Sequence, residues 1–255
     1  MLGETLGAWK RVIGQPGSWT LIVWMLGFGS VLGGLFLALG IGAVWSALPH
    51  TPGALSSGIS PQLAPSLLAH LATLLAVVVL TALLLGPFMT AGLYGTIARA
   101  VAGERVGWGT FWRSARRLYG RAWGLVLYSI MYTLALAIAS AILVAVLHGA
   151  GFLGVMAAFI LSIPFAIRML GGLFLDELTF GESFTRSFGG PHYGGLLGGA
   201  LLGVLVMMAG LGILAALGLA LGSIIMVVYY LVSLGLVVAA PAWFLALYRA
   251  AAAAA

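Results

Sequence analysis

Residues 113–151 read RSARRLYGRAWGLVLYSIMYTLALAIASAILVAVLHGAG. Four arginines open the stretch, no charged residue occurs from Ala122 to Leu147, and His148-Gly149-Ala150-Gly151 closes it with turn chemistry. A helix needs about 20 apolar residues to cross a hydrocarbon core roughly 30 Å thick, and this run supplies them. Its cations all lie at one end. Working outward, five more such runs appear, so that apolar stretches occupy roughly 19–46, 66–87, 122–147, 152–174, 195–221 and 223–247. Every Lys and Arg falls beside one side of them. Lys10 and Arg11 precede the first stretch; Arg99, Arg105, Arg113, Arg116, Arg117 and Arg121 lie between the second and third. Arg168 and Arg186 come late in or after the fourth, and Arg249 ends the sixth. The connections after the first, third and fifth stretches carry none. This alternation follows the positive-inside rule. It predicts an all-α, polytopic transmembrane helix bundle with six spans and both termini cytoplasmic.

Composition points the same way. Apolar residues make up 63% of the 255 and charged residues 6%, against roughly 25% charged in a soluble domain. Water cannot be the solvent for most of such a surface. The net charge of +6 resides in the cytoplasmic fringe, where it meets anionic lipid head groups. Being scattered along helix ends, it does not form a nucleic-acid surface. Cysteine is absent, which excludes thiolate chemistry and disulfides. No signal peptide is expected, since the first apolar stretch far exceeds the roughly 7–15 residues of a signal core. Nor does any polar segment have the length to build a separate extramembrane core.

The six stretches pair into three similar repeats of a single membrane domain over residues 1–255, at about 3–100, 101–176 and 177–250. Pro87, Pro164 and Pro241 sit near the cytoplasmic end of each second helix, and equal intervals separate them. Glu104, Phe111, Arg113 and Ser114 align without gaps with Glu177, Phe184, Arg186 and Ser187, while Pro16 falls where Pro191 falls. Same-orientation repeats of two spans imply an axis along the membrane normal. A proline within a span frees a carbonyl and bends the helix. Three equivalent bends either frame a vestibule or curve the helices so that they pack.

The polar segment Arg105–Arg121 carries the strongest site signal. Trp108, Phe111, Trp112, Ala115, Leu118, Tyr119 and Ala122 follow helical spacing, with Arg113, Arg117 and Arg121 four apart on the other side. That pattern suits an amphipathic helix in the interface, its aromatics at the acyl boundary and its guanidiniums at phosphates. Arg105, Trp108, Trp112, Arg113, Arg116, Arg117 and Arg121 are therefore the candidate lipid- or partner-binding set; topological anchoring is the plainer use of the same residues. Short interfacial helices of this kind accompany the spans. Arg168, four residues past Pro164, is the one cation within a span, close enough to its cytoplasmic end to snorkel, with Asp176 and Glu177 nearby to neutralise it. Together with the three prolines it marks a possible pathway. All five acidic residues fall on the cytoplasmic side, which disfavours ion-coupled transport.

Glycine numbers 38. The rows Gly29/Gly33 and Gly195/Gly199/Gly203 have the small-xxx-small spacing that lets helix backbones approach. His50, His70 and His148 fall toward the outer side, without the spacing or carboxylate of a zinc site; no metal or other cofactor is expected. Tyr128, Tyr132, Ser140, Tyr229 and Ser233 are scattered hydroxyls. No triad, HExxH, P-loop or dinucleotide fingerprint occurs, so no enzyme is expected.

Gly86-Pro87-Phe88, Gly92-Leu93-Tyr94-Gly95, Gly103-Glu104 and Phe111-x-Arg113-Ser114, followed by Leu175-Asp176-Glu177 and Glu182-Ser183-Phe184-Thr185-Arg186-Ser187, carry a resemblance over roughly 86–203. The pattern resembles a loose group of six-helix bacterial membrane proteins of unknown function, including the membrane module fused to some glycerophosphodiester phosphodiesterases. The chain departs from it at Gly189-Gly190-Pro191-His192, where the group has an aromatic and basic run. It also lacks a phosphodiesterase domain, so the resemblance implies a fold and no activity. The expected function is a non-catalytic accessory or scaffold subunit that packs against another membrane protein or a second copy, or that organises lipid. The alternative is a permease or channel component for a neutral or amphiphilic solute.

Overall fold

A computed structural model describes residues 1–47, 63–147, 151–189 and 192–254. Those residues form eight helices and no strand: α1 (Leu2–Gly14), α2 (Pro16–Ala47), α3 (Leu63–Ala102), α4 (Trp108–Leu147), α5 (Gly151–Phe174), α6 (Phe180–Phe188), α7 (Tyr193–Leu221) and α8 (Ser223–Ala253). Six of them, α2, α3, α4, α5, α7 and α8, are long and apolar enough to cross a membrane. The chain is an all-α, multi-pass membrane bundle. His50, Ser57 and His148 lie outside the described residues, and of His70 only the helical backbone is described.

Two helices outrun the spans expected from apolar runs. Apolar run length ends the second span at Pro87 and starts the third at Ala122, yet α3 and α4 each contain 40 residues, roughly 60 Å at 1.5 Å per residue. That is about twice a hydrocarbon core. Proline removes one hydrogen bond without ending a helix that neighbours hold, and arginine is itself a good helix former. Apolarity stops at these residues; helicity does not. As a result the segment Arg105–Arg121, expected as a separate interfacial helix, is helical only from Trp108, where it forms the first third of α4.

Two compact units divide the chain: Val23–Gly86, and Met1–Ile22 with Pro87–Ala255. In the smaller unit Val23, Val31, Leu37, Ile41, Leu75 and Leu80 are exposed, and the Trp24 and Phe28 rings meet at 6.1 Å.

In the larger unit the core lies beyond the prolines. Ala91, Ile97 and Val101 of α3, Ile167, Met169 and Leu173 of α5, and Leu245 and Leu247 of α8 are all buried, whereas Phe152 and Leu153 of α5 and Val227 and Leu231 of α8 are exposed. The three proline-bearing ends touch one another. Tyr94 stacks on Phe174 at 5.2 Å; Ile167 clusters with Leu247, Leu196 and Ala200; Arg249 donates to the Val101 carbonyl. A guanidinium on the last turn of α3 also balances that helix's dipole.

Each proline-bearing helix carries an amphipathic segment. The start of α4 packs on α3, with Phe111 over Gly92 and edge-on to Phe88 at 6.3 Å. α6 packs on α5, with Ser183 Oγ donating to the Met169 carbonyl at 3.0 Å and Phe184 edge-on to Phe165 at 5.7 Å. α1 packs on α8, Trp9 Nε1 donating to the Ala239 carbonyl at 2.9 Å with its ring edge-on to Trp243 at 6.1 Å. In the first two cases the partner is the preceding helix. In the third, the first helix of the chain closes on the last.

The glycine rows separate. A Cβ at Gly195, Gly199 or Gly203 would meet Met1, Leu247 or the Trp243 indole, while one at Gly29 or Gly33 would meet nothing within 4 Å. Only the α7 row is used for packing among the described residues. Trp243 explains why: its Nε1 donates to the Gly199 carbonyl at 3.0 Å, which brings the ring onto the α7 backbone.

Gly203→Leu should therefore lower thermal stability in mild detergent by about 1–3 kcal/mol, the usual cost of overpacking. Gly210→Leu, where a Cβ meets open space, should leave it unchanged. Equal effects of the two would contradict this packing.

Candidate functional site

The basic end of α4 is positioned by a side-chain clip. Gln15 Nε2 donates to the Glu104 carbonyl at 3.2 Å, and its Oε1 accepts the Val106 N–H at 3.1 Å. One amide thus satisfies a donor and an acceptor of the α3–α4 connection, as a paired strand would. Gly17 lies directly under the Val106 carbonyl, where no Cβ fits. Gly103 takes a left-handed φ of 94°, which ends α3 sharply. The Gly107 N–H then donates to Thr110 Oγ1 at 3.0 Å, and α4 begins.

From that start the segment has two faces. Phe111, Ser114, Ala115 and Leu118 are buried, Ser114 and Leu118 beneath Gly95 of α3. Trp108 and Trp112 are 53% and 38% exposed. The Arg116 guanidinium lies 5.2 Å above the Trp112 ring, within cation–π range. Phe88 supports the same ring edge-on at 5.0 Å. The result is a platform of aromatic rings and cations, backed by packing on α3.

The seven residues singled out in the sequence do not act together. Arg117 forms an ion pair with Glu177, and Arg121 reaches the other oxygen of the same carboxylate at 3.4 Å. Among the described residues Arg105, Arg113 and Arg116 make no ion pair. The set divides into an outward group (Arg105, Trp108, Trp112, Arg113 and Arg116) and a paired group, Arg117 and Arg121, that bridges α4 to the α5–α6 connection. Glu177 has a left-handed φ of 53°, a conformation worth holding only where contacts fix it.

Arg168 is buried, 8% exposed, and its Nη1 donates to the Gly189 carbonyl at 2.9 Å, tethering the end of α6. The two acids expected to neutralise it have other partners as well. Glu177 holds Arg117 and Arg121, and Asp176 accepts from the Tyr248 hydroxyl at 2.6 Å. Gly171 lies against that tyrosine ring, so α5 and α8 meet closely beside Arg168. His192, on the basic side, contacts the Ala254 carbonyl at 3.2 Å.

Two lateral grooves accompany the platform. One of about 590 Å³ runs between α3 and α4 along Thr90, Leu125, Ser129, Thr133 and Leu134. The other, about 290 Å³, lies between α4, α5 and α6 and is walled by Tyr128, Met131, Tyr132, Phe165, Phe184 and Phe188. Sequence reasoning treated Tyr128 and Tyr132 as scattered hydroxyls. The available signal was the stripe Phe180, Phe184 and Phe188, four apart on α6 and matched to tyrosines four apart on α4.

α6 itself is set by a capping box. Thr179 Oγ1 accepts the Glu182 N–H, while the Glu182 carboxylate accepts the Thr179 N–H at 3.0 Å and its hydroxyl at 2.8 Å. Comparison with protein-family models, curated proteins and solved structures finds no match.

Hydrogen bonds from Thr179 hold the Glu182 carboxyl below its ordinary range. A depressed carboxyl contributes its stabilisation above the unfolded value, near about 4.3, and loses it as pH falls through the folded one. Amide-exchange protection of residues 180–188, corrected for intrinsic rates, should hold at neutral pH and fall only below about pH 4. In Thr179→Val the acid-dependent step should vanish. A step of unchanged size in that variant would contradict the box as its source.

Proposed function

We propose that this chain is a non-catalytic, multi-pass protein of a bacterial inner membrane, both termini cytoplasmic, that organises anionic lipid at the cytoplasmic surface. The observation that carries the reading is the platform on α4. Trp108 and Trp112 are exposed, Arg116 covers one ring, and Arg105 and Arg113 are exposed on the same segment, while the opposite face is packed on α3. Tryptophan favours the membrane interface, and each Arg near an anionic surface contributes about 1 kcal/mol.

The mutual packing of the three proline-bearing ends supports this reading over a solute pathway. Tyr94 on Phe174, Ile167 with Leu247 and Arg249 on Val101 occupy the region that a cytoplasmic vestibule would need.

Tryptophan quenching by brominated lipids tests it. In reconstituted vesicles, brominated phosphatidylglycerol should quench more than brominated phosphatidylcholine. The double variant Arg113→Gln/Arg116→Gln should lose most of that preference, and Trp108→Phe/Trp112→Phe should remove the part of the quenching that is specific to phosphatidylglycerol. Equal quenching by the two lipids in the unaltered protein would overturn the proposal.

A further inference from the structure

We infer that the groove between α4, α5 and α6 holds one acyl chain of an anionic phospholipid from the basic-side leaflet, with its phosphate at Arg117 and Arg121. The inference rests on the lipid reading above and gives it a defined site. The groove measures about 290 Å³, at the lower edge of the roughly 300–1,000 Å³ of small-ligand pockets, so it suits a single chain segment. Its walls are rings and a thioether, from Tyr128, Met131, Tyr132, Phe165, Phe184 and Phe188. The Tyr132 hydroxyl is bonded to Ser162 Oγ at 2.5 Å, leaving its ring to line the groove. Phe188 is 70% exposed, an aromatic surface that a lipid chain would cover.

Charge selects the head group. Arg117 and Arg121 share the single carboxylate of Glu177, so the cluster retains one positive charge that a phosphate monoanion would balance. A neutral amphiphile would not. Arg121 precedes Tyr128 by two helical turns on the same face, roughly 10 Å toward the basic end. Phe180 bridges the interval, packed on Gly124 and stacked on Phe184 at 5.9 Å. Acyl chain in the aromatic cleft and phosphate at the arginines follow the polarity of the helix. Basic pockets between spans bind lipid head groups by this same chemistry.

The test is native mass spectrometry of the full chain in mild detergent, with phosphatidylglycerol or phosphatidylcholine of equal chain length added back. After removal of loosely held lipid, one phosphatidylglycerol should remain per chain, bound about tenfold more tightly than phosphatidylcholine, a difference of about 1.4 kcal/mol. Ala135→Phe, at an exposed position lining the groove, and Phe188→Ala, which removes a wall, should each weaken retention about tenfold with thermal unfolding unchanged. Should Ala135→Phe unfold, Phe188→Ala alone carries the test. Arg113→Gln/Arg116→Gln should keep the retained lipid. Retention unaffected by Phe188→Ala, or equal for both lipids, would overturn the site. Lipid retained in the groove while the bromolipid preference is absent would overturn the surface platform alone.

Discussion

Hydrocarbon offers no hydrogen-bond partner and rewards no apolar side chain for leaving it. Every feature of this fold answers to that constraint. Of the most apolar window in each spanning helix, at most 22% is buried within the chain, so most of the apolar surface faces lipid. What holds the helices together is concentrated where the spans meet the basic interface: close backbone approach at glycine and polar locks onto carbonyls. The indole N–H groups illustrate the second device. Trp9 donates to Ala239, Trp19 to Ile13 and Trp243 to Gly199, each to a main-chain carbonyl. A hydrogen bond in this setting contributes about 0.6 kcal/mol on average, but leaving a donor unpaired in hydrocarbon costs considerably more.

The same constraint gives the prolines their use. Beyond Pro87, Pro164 and Pro241 the chain passes from lipid-exposed to buried, and each distal segment receives one amphipathic partner. α1 closes the arrangement, because the partner of the last helix is supplied by the first. Phe111 and Phe184 meet Phe88 and Phe165 edge-on, and Trp9 meets Trp243 in the same manner. The ring geometry recurs because an edge-on pair fills the angle between a span and a helix crossing it. The platform on α4 and the groove beside α6 are outward surfaces of this layer.

Much of the fold was legible because charge and apolar run length are local properties of a sequence. The six runs and the one-sided cations specify the spans, and the turn at Gly222, with φ of 90°, was marked by Gly-Ser. The helices run past Pro87 and begin before Ala122, where neighbours sustain a helix that apolar run length alone does not mark. The candidate site was legible in residue type but not in partnership. Arg113 and Arg117 look equivalent in the sequence; only the chain's return through Glu177 pairs one and leaves the other outward. Gly29 and Gly33 share the spacing of Gly199 and Gly203, yet among the described residues only the latter have a side chain against them. The aromatic groove draws on three helices, and no single stretch announces it.

Position relative to the bilayer is the premise beneath all of this, and cysteine accessibility in sealed membranes measures it directly. The native chain has no cysteine, so single substitutions report without background. Ser57→Cys and Arg113→Cys should react with a membrane-impermeant maleimide from opposite sides, and Leu134→Cys, midway along α4, should react from neither. Labelling of residues 57 and 113 from the same side, or ready labelling at 134, would contradict the account.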